Sequence, residues 1–141
     1  MIKAAAPLWY FNTTDEWSTV YPSVDDVKLL VSTAFYSDIV VNVGSTMAFD
    51  FAMFGKPCVF INYDQPIKNV RDWSVKTIYQ FQHFKSMPNK DAVIWLNNKA
   101  EIVEKLTLQK SCSSQMIEWK KTVLEDYKNA SMRIREIIKA N

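Results

Sequence analysis

Glycine is nearly missing from this chain, with only Gly44 and Gly55 among its 141 residues. A dinucleotide-binding fingerprint needs three closely spaced glycines, and a phosphate-binding P-loop needs two with a lysine after the second, so neither can be written here. Nicotinamide oxidoreductases and P-loop kinases are thereby disfavoured. Histidine occurs once, as His83, and cysteine twice, as Cys58 and Cys112, far apart in sequence. No cluster with metal-ligand spacing follows from so few. Two isolated cysteines fit a reducing cytoplasm better than an oxidising compartment, where small domains usually carry several disulfides, and both read as small buried apolar residues. Long apolar runs are missing as well. The stretch from Ala4 to Phe11 is too short for a bilayer span and contains Pro7. Lys3 ahead of it is followed by no small-residue cleavage pattern before Asp15 and Glu16, so it reads as folded protein and not as a signal peptide.

Excess charge is the remaining absence. The formal net charge is +2, so nothing in the balance calls for nucleic acid or an anionic membrane, and any anion must be met locally. What is present, 48% hydrophobic and 23% charged residues, is the make-up of one soluble globular domain with one core, spanning residues 1–141. No internal repeat, low-complexity segment or Gly/Ser-rich linker divides it.

Serine at position 23, Asp25 and Asp26 behind it, and apolar residues at Val27, Leu30, Val31 and Ala34 predict a capped helix of about three turns. The β-branched run from Asp38 to Val43 predicts a strand covered on both faces, ended by Gly44. Thr46 to Phe54 predicts a helix closed by a left-handed Gly55, with Pro57 soon after. Cys58 to Tyr63 predicts a second buried strand. Further on, the pattern predicts a helix over Val75 to Phe84, a strand over Ala92 to Leu96, and a helix over Lys99 to Leu108 capped by Asn97 or Asn98. A long amphipathic helix is expected from Ser113 to Ala140, with a break near Asn129 to Ser131. Alternating helices and strands imply right-handed crossovers, hence an α/β fold: a Rossmann-like three-layer α/β/α arrangement with a mainly parallel sheet and a long C-terminal helix.

In such sheets ligands collect beyond the carboxyl ends of the strands, where a strand meets the next helix. Here that place reads Asn42-Val-Gly44-Ser45-Thr46-Met-Ala-Phe-Asp50. Gly44 would let a ligand oxygen approach the backbone, the first helical N–H groups would attract a phosphate, and Ser45 and Thr46 add hydroxyls. Asp50 lies on a helix apolar on nearly every side, where an unpaired carboxylate is costly, so it needs a donor. The Thr46 hydroxyl four residues earlier, or the two hydroxyls of a ribose, would serve. An N-cap serine with a structural aspartate is the plainer alternative.

The stretch from Ser37 to Asp64 resembles the carboxyl-terminal, nucleotide-sugar-binding domain of GT-B-fold glycosyltransferases, in its strand, small-residue turn, acidic residue on the next helix and Gly-Lys-Pro before the following strand. The spacing from Thr46 to Asp50, with Phe51 next, is similar to the CDP-glycerol glycerophosphotransferase branch. The likeness runs over roughly residues 24 to 70. It implies a diphosphate held by Gly44, Ser45 and Thr46, a ribose held by Asp50, and sugar hydroxyls met by Asp64 and Gln65. Asn42-Val43 stands where the superfamily often has a histidine, and Asn69 lies one position further on than in the plant-type pattern, which leaves the donor open.

The resemblance implies the donor-binding part of a longer transferase, inactive by itself, whose acceptor and base come from an amino-terminal domain. The abrupt start before the Ser23 helix agrees with a chain excised from something longer. Lys68 and Arg71, in the loop after Asp64, would neutralise charge on the leaving nucleotide without a metal or other cofactor. His83, set among aromatics, is the weak candidate for a base. Competing expectations are a polyol-phosphate transferase of the CDP-glycerol type, a non-catalytic nucleotide-sugar binding module, and a sugar-nucleotide epimerase or phosphorylase. The expected partners are a nucleotide-activated sugar or polyol and no nucleic acid. The expected setting is the cytoplasm, in cell-envelope polysaccharide synthesis, with the basic tail helix available for peripheral membrane contact.

Overall fold

The computed structural model describes residues 2–11, 20–66, 74–108, 111–125 and 127–140. The chain divides into two compact units, Met1–Asp38 and Ile39–Asn141, a boundary that composition does not mark.

In the first unit, two short antiparallel strands, β1 (Tyr10–Phe11) and β2 (Val20–Tyr21), precede helix α1 (Val24–Tyr36). The expected cap is present as a capping box. Ser23 Oγ accepts from the Asp26 N–H, and Asp26 accepts in return from the Ser23 N–H at 2.8 Å and the Ser23 hydroxyl at 2.7 Å. The other Asp26 oxygen accepts the Leu8 N–H at 2.6 Å, which ties the preceding segment to the helix. These donors, the Ser23 hydroxyl first, hold the Asp26 carboxyl below its usual range although burial opposes them. Of the apolar residues that predict this helix, only Ala34 is buried, while Val27, Leu30 and Val31 stay exposed.

The second unit is built on a three-stranded parallel sheet ordered β3 (Val40–Asn42), β4 (Cys58–Ile61), β5 (Ile94–Leu96). Central β4 has Cys58, Val59 and Phe60 essentially inaccessible, as a strand covered on both faces should be. Edge strand β3 departs from that expectation, since Val41 is 43% exposed. Between them runs α2 (Met47–Met53), whose chain reverses at Gly55 with φ +68°. There the Gly55 N–H bonds the Ala52 carbonyl and the Lys56 N–H bonds that of Phe51.

The helix expected over Val75 to Phe84 is two short ones, α3 (Val75–Ile78) and α4 (Gln82–Lys85). Phe60 supplies the reason. Tyr79 stacks on it and Phe84 meets it edge-on, each with ring centroids 5.6 Å away. On one continuous helix, residues five apart point about 140° from each other, so both could not reach the same ring. The chain breaks between them to satisfy the core. A 3₁₀ turn at Lys90–Ala92 leads into β5, and another at Lys99–Glu101, capped by Asn98, leads into α5 (Ile102–Leu108).

The long tail helix is likewise divided, into α6 (Ser114–Leu124) and α7 (Ala130–Ala140). The divide opens at Glu125, with φ 40°, and includes a 3₁₀ turn at Tyr127–Asn129, so it begins ahead of the expected Asn129 to Ser131 and meets it at Asn129. Helix α6 is anchored on α2. Trp119 is fully buried with its ring 4.7 Å from that of Phe49, its indole N–H donates to Ser86 Oγ, and Lys120 Nζ reaches the Ala52 carbonyl at 3.1 Å. Helix α7 buries none of its residues. The result is a mixed α/β chain with a small parallel sheet and a long C-terminal helical segment. Among the described residues no helix is long and apolar enough to cross a membrane.

Candidate functional site

Strand β3 delivers its last residue, Asn42, to the start of the turn that opens α2. The Asn42 side-chain oxygen accepts the Ser45 N–H at 2.9 Å, and its amide nitrogen lies 3.5 Å from Cys58 Sγ on the neighbouring strand. Ser45 Oγ in turn accepts the Met47 N–H at 3.2 Å. Two of the N–H groups expected to cradle a phosphate are therefore taken by the turn itself. Thr46 occupies the cap position with a helical backbone, φ −63° and ψ −12°, and its exposed hydroxyl makes no capping bond.

Gly44 has φ +56°, a conformation that favours glycine. The open side offered to a ligand is filled by protein. A Cβ there would lie 2.5 Å from Ile78 Cγ2, 3.1 Å from Tyr79 Cε1 and 3.4 Å from Phe84 Cε2. The glycine thus serves close approach of α3 and α4 instead of close approach of a ligand oxygen.

Asp50 is placed differently from the expectation of a helix enclosed on all sides. Ala48, Phe49, Phe51 and Ala52 are buried, but Met53 and Phe54 are each 39% exposed, so α2 has an open face. At 100° per residue Asp50 falls on that face. It is half-buried, has no hydrogen-bond or ion-pair partner among the described residues, and does not bond Thr46. Burial alone pushes its carboxyl above the ordinary aspartate range.

Asp64 takes a role the spacing does not reveal. One oxygen accepts the Ser74 hydroxyl at 2.9 Å and the other the Val75 N–H at 2.8 Å, so it fastens the start of α3. Gln65 beside it is exposed, while Lys68, Asn69 and Arg71 lie outside the described residues. The His83 ring sits 4.0 Å from that of Phe84 and makes no hydrogen bond among the described residues, so no carboxylate orients it as a base. Burial pushes the Cys58 thiol up to about 12, partly offset by Asn42, which leaves it a structural group. Among the described residues no three His, Cys, Asp or Glu side chains converge as metal ligands.

A second feature lies along the same carboxyl edge. Beyond the ends of β4 and β5 is a cavity of about 600 Å³ bordered by Asn62, Lys76, Gln80, Lys90, Trp95 and Asn97, with Tyr79 and Phe84 as its wall. The Asn62 N–H continues the ladder by one bond to the Leu96 carbonyl at 2.8 Å, and its amide donates to Asn97 Oδ1 at 2.9 Å. The Trp95 indole N–H is held by the Lys90 carbonyl, and the Tyr79 hydroxyl by that of Ile61. The rule that ligands gather beyond strand ends singles out Asn62 and Asn97, one residue past β4 and β5. Lys76, Gln80 and Lys90 carry no such mark in the sequence, because only folding brings them to the cavity. No protein-family model, no curated protein and no solved structure matches this chain.

Proposed function

We propose that this chain is the donor-binding domain of a GT-B-type glycosyltransferase, with a Rossmann-like three-layer fold, which holds a nucleotide-diphosphate sugar at the start of α2. One observation carries the reading. Asp50 is a half-buried carboxylate with no partner among the described residues, four residues along the helix from the uncommitted Thr46 hydroxyl, beyond the carboxyl end of a parallel strand. A carboxylate partly withdrawn from water and given no donors is unfavourable until something supplies them. A ribose diol supplies two O–H groups, and phosphates attached to it would meet the Thr46 hydroxyl and the turn.

The chemistry assigned to the domain is stabilisation of the leaving diphosphate, with Lys68 and Arg71, which lie between Asp64 and α3 in the sequence, lending positive charge. The acceptor hydroxyl and the base that activates it come, in this reading, from a further domain, so the 141-residue chain binds donor and turns nothing over. A polyol-phosphate donor of the CDP-glycerol type would use the same groups, and the Thr46, Asp50 and Phe51 spacing favours testing it beside the sugar donors. The setting is the cytoplasmic side of envelope polysaccharide synthesis, with α7 as the surface for peripheral membrane contact.

Calorimetric titration of UDP, CDP and GDP against the wild type and the Thr46→Ala and Asp50→Ala variants tests the proposal. One nucleotide should bind preferentially, and each variant should weaken it by about tenfold, the equivalent of one good hydrogen-bonding contact. Unchanged affinity in both variants rejects the site.

A further inference from the structure

We infer that the cavity beyond β4 and β5 is a second binding site, independent of the turn at Ser45, for a phosphorylated ring compound: a nucleotide or a sugar phosphate. Its volume of about 600 Å³ lies within the range of pockets that enclose a small organic ligand.

The sign of its lining selects an anion. Among the described residues on its border, Lys76 and Lys90 are the charged ones, none is a carboxylate, and neither lysine forms an ion pair. Two cations and no carboxylate among the described lining residues would attract an anion to this border.

The neutral groups select a ring with hydroxyls or base edges. Asn62 and Asn97 spend one donor and one acceptor on each other, which leaves the Asn62 oxygen as an acceptor and the Asn97 amide nitrogen as a donor. The Gln80 side chain makes no hydrogen bond among the described residues and offers both. The rings of Tyr79 and Trp95 meet edge to face at 4.9 Å, and their O–H and N–H are already held by backbone carbonyls. They therefore present carbon surface, suited to a base or to the C–H face of a sugar.

The border is also supported from behind. Tyr79 and Phe84 are wedged against Gly44 on β3's turn and against Phe60 in the core, so this wall exists before any ligand arrives. A preformed wall lowers the ordering cost of binding.

Isothermal titration of the full chain with uridine monophosphate, glucose 1-phosphate and inorganic phosphate, at two salt concentrations, tests this. One of the two ring compounds should bind more tightly than inorganic phosphate and weaken as salt rises. Which of them does so separates a nucleotide site from a sugar-phosphate site. The Lys76→Glu, Lys90→Glu double variant changes exposed side chains only, and it should weaken that binding by at least about tenfold and flatten the salt dependence. The Asn97→Leu variant should weaken the ring compound more than inorganic phosphate. Thr46→Ala and Asp50→Ala should leave this site untouched, and the lysine variants should leave donor binding at the turn untouched, so the two sites fail separately. Absence of binding by both ring compounds, inorganic phosphate binding as tightly as either, or equal affinity in the lysine variant would each overturn the inference.

Discussion

The turn at Gly44 and the cavity beyond β4 and β5 share one edge of one sheet, yet they are built in opposite ways. The turn is made of neighbours in sequence, from Asn42 to Asp50, and it spends much of its polarity on itself. The cavity is made of groups from Asn62 to Asn97, and it leaves its lysines and much of its amide capacity uncommitted. What joins the two is the wall of Tyr79 and Phe84, which packs against Gly44 and also borders the cavity. A compact turn and an open recess thus depend on the same aromatic layer.

That dependence is tested most severely at Trp119, whose ring touches the layer through Phe84 at a centroid distance of 6.2 Å. Trp119→Ala should cost about 3–5 kcal/mol in urea unfolding, as for other large buried aromatics, and should weaken binding at the turn and the cavity together. Loss at one site alone would show that they do not share support. Next in size is Gly44→Ala, which adds a Cβ 2.5 Å from Ile78 to a backbone at φ +56° and should cost about 1–3 kcal/mol. Gly55→Ala provides the contrast, because nothing lies within 4 Å of its Cβ position and only the φ of +68° opposes it. Its cost should be about 1 kcal/mol, and equal costs for the two would mean that packing against α3 and α4 adds nothing.

The smallest effect concerns Asp50. Its carboxyl is raised by burial, so the folded state keeps its proton at pH values where the unfolded chain has released it. The Asp50 contribution to stability therefore falls as pH rises from the ordinary aspartate value of 3.8 through the raised folded value. Asp50→Asn should melt slightly higher than wild type at pH 7, with the difference vanishing below the ordinary aspartate range, while donor binding weakens by up to about tenfold. A variant less stable at pH 7 would show Asp50 to be a structural group and the turn to be self-sufficient.

The same contrast separates what is legible in the sequence from what is not. The Ser23 cap, the Gly55 reversal and β4 were legible because each is decided within a few residues, by hydrogen bonds, backbone conformation or apolar runs. The break between α3 and α4 was not, since it answers to Phe60, which lies nineteen residues before Tyr79 in the sequence. Asp64 reads as a sugar ligand by resemblance and acts as a cap for α3 because Ser74 and Val75 return to it across a loop. The exposed stripe on α1 shows the converse limit, as periodicity states which face is apolar without stating that anything covers it. For the site, Ser45, Thr46 and Asp50 could be nominated from spacing, whereas Lys76, Gln80 and Lys90 acquire a shared purpose only once the strand ends are aligned.

Glu125 holds a left-handed backbone that a glycine would adopt at no steric cost, and it stands between a helix clasped by the core and one that buries nothing. The chain there resembles a strained wire between a fixed post and an outlying arm. Mild digestion with an acid-residue-specific protease should cut at Glu125 early, leaving a trimmed protein whose ligand affinities match those of the intact one.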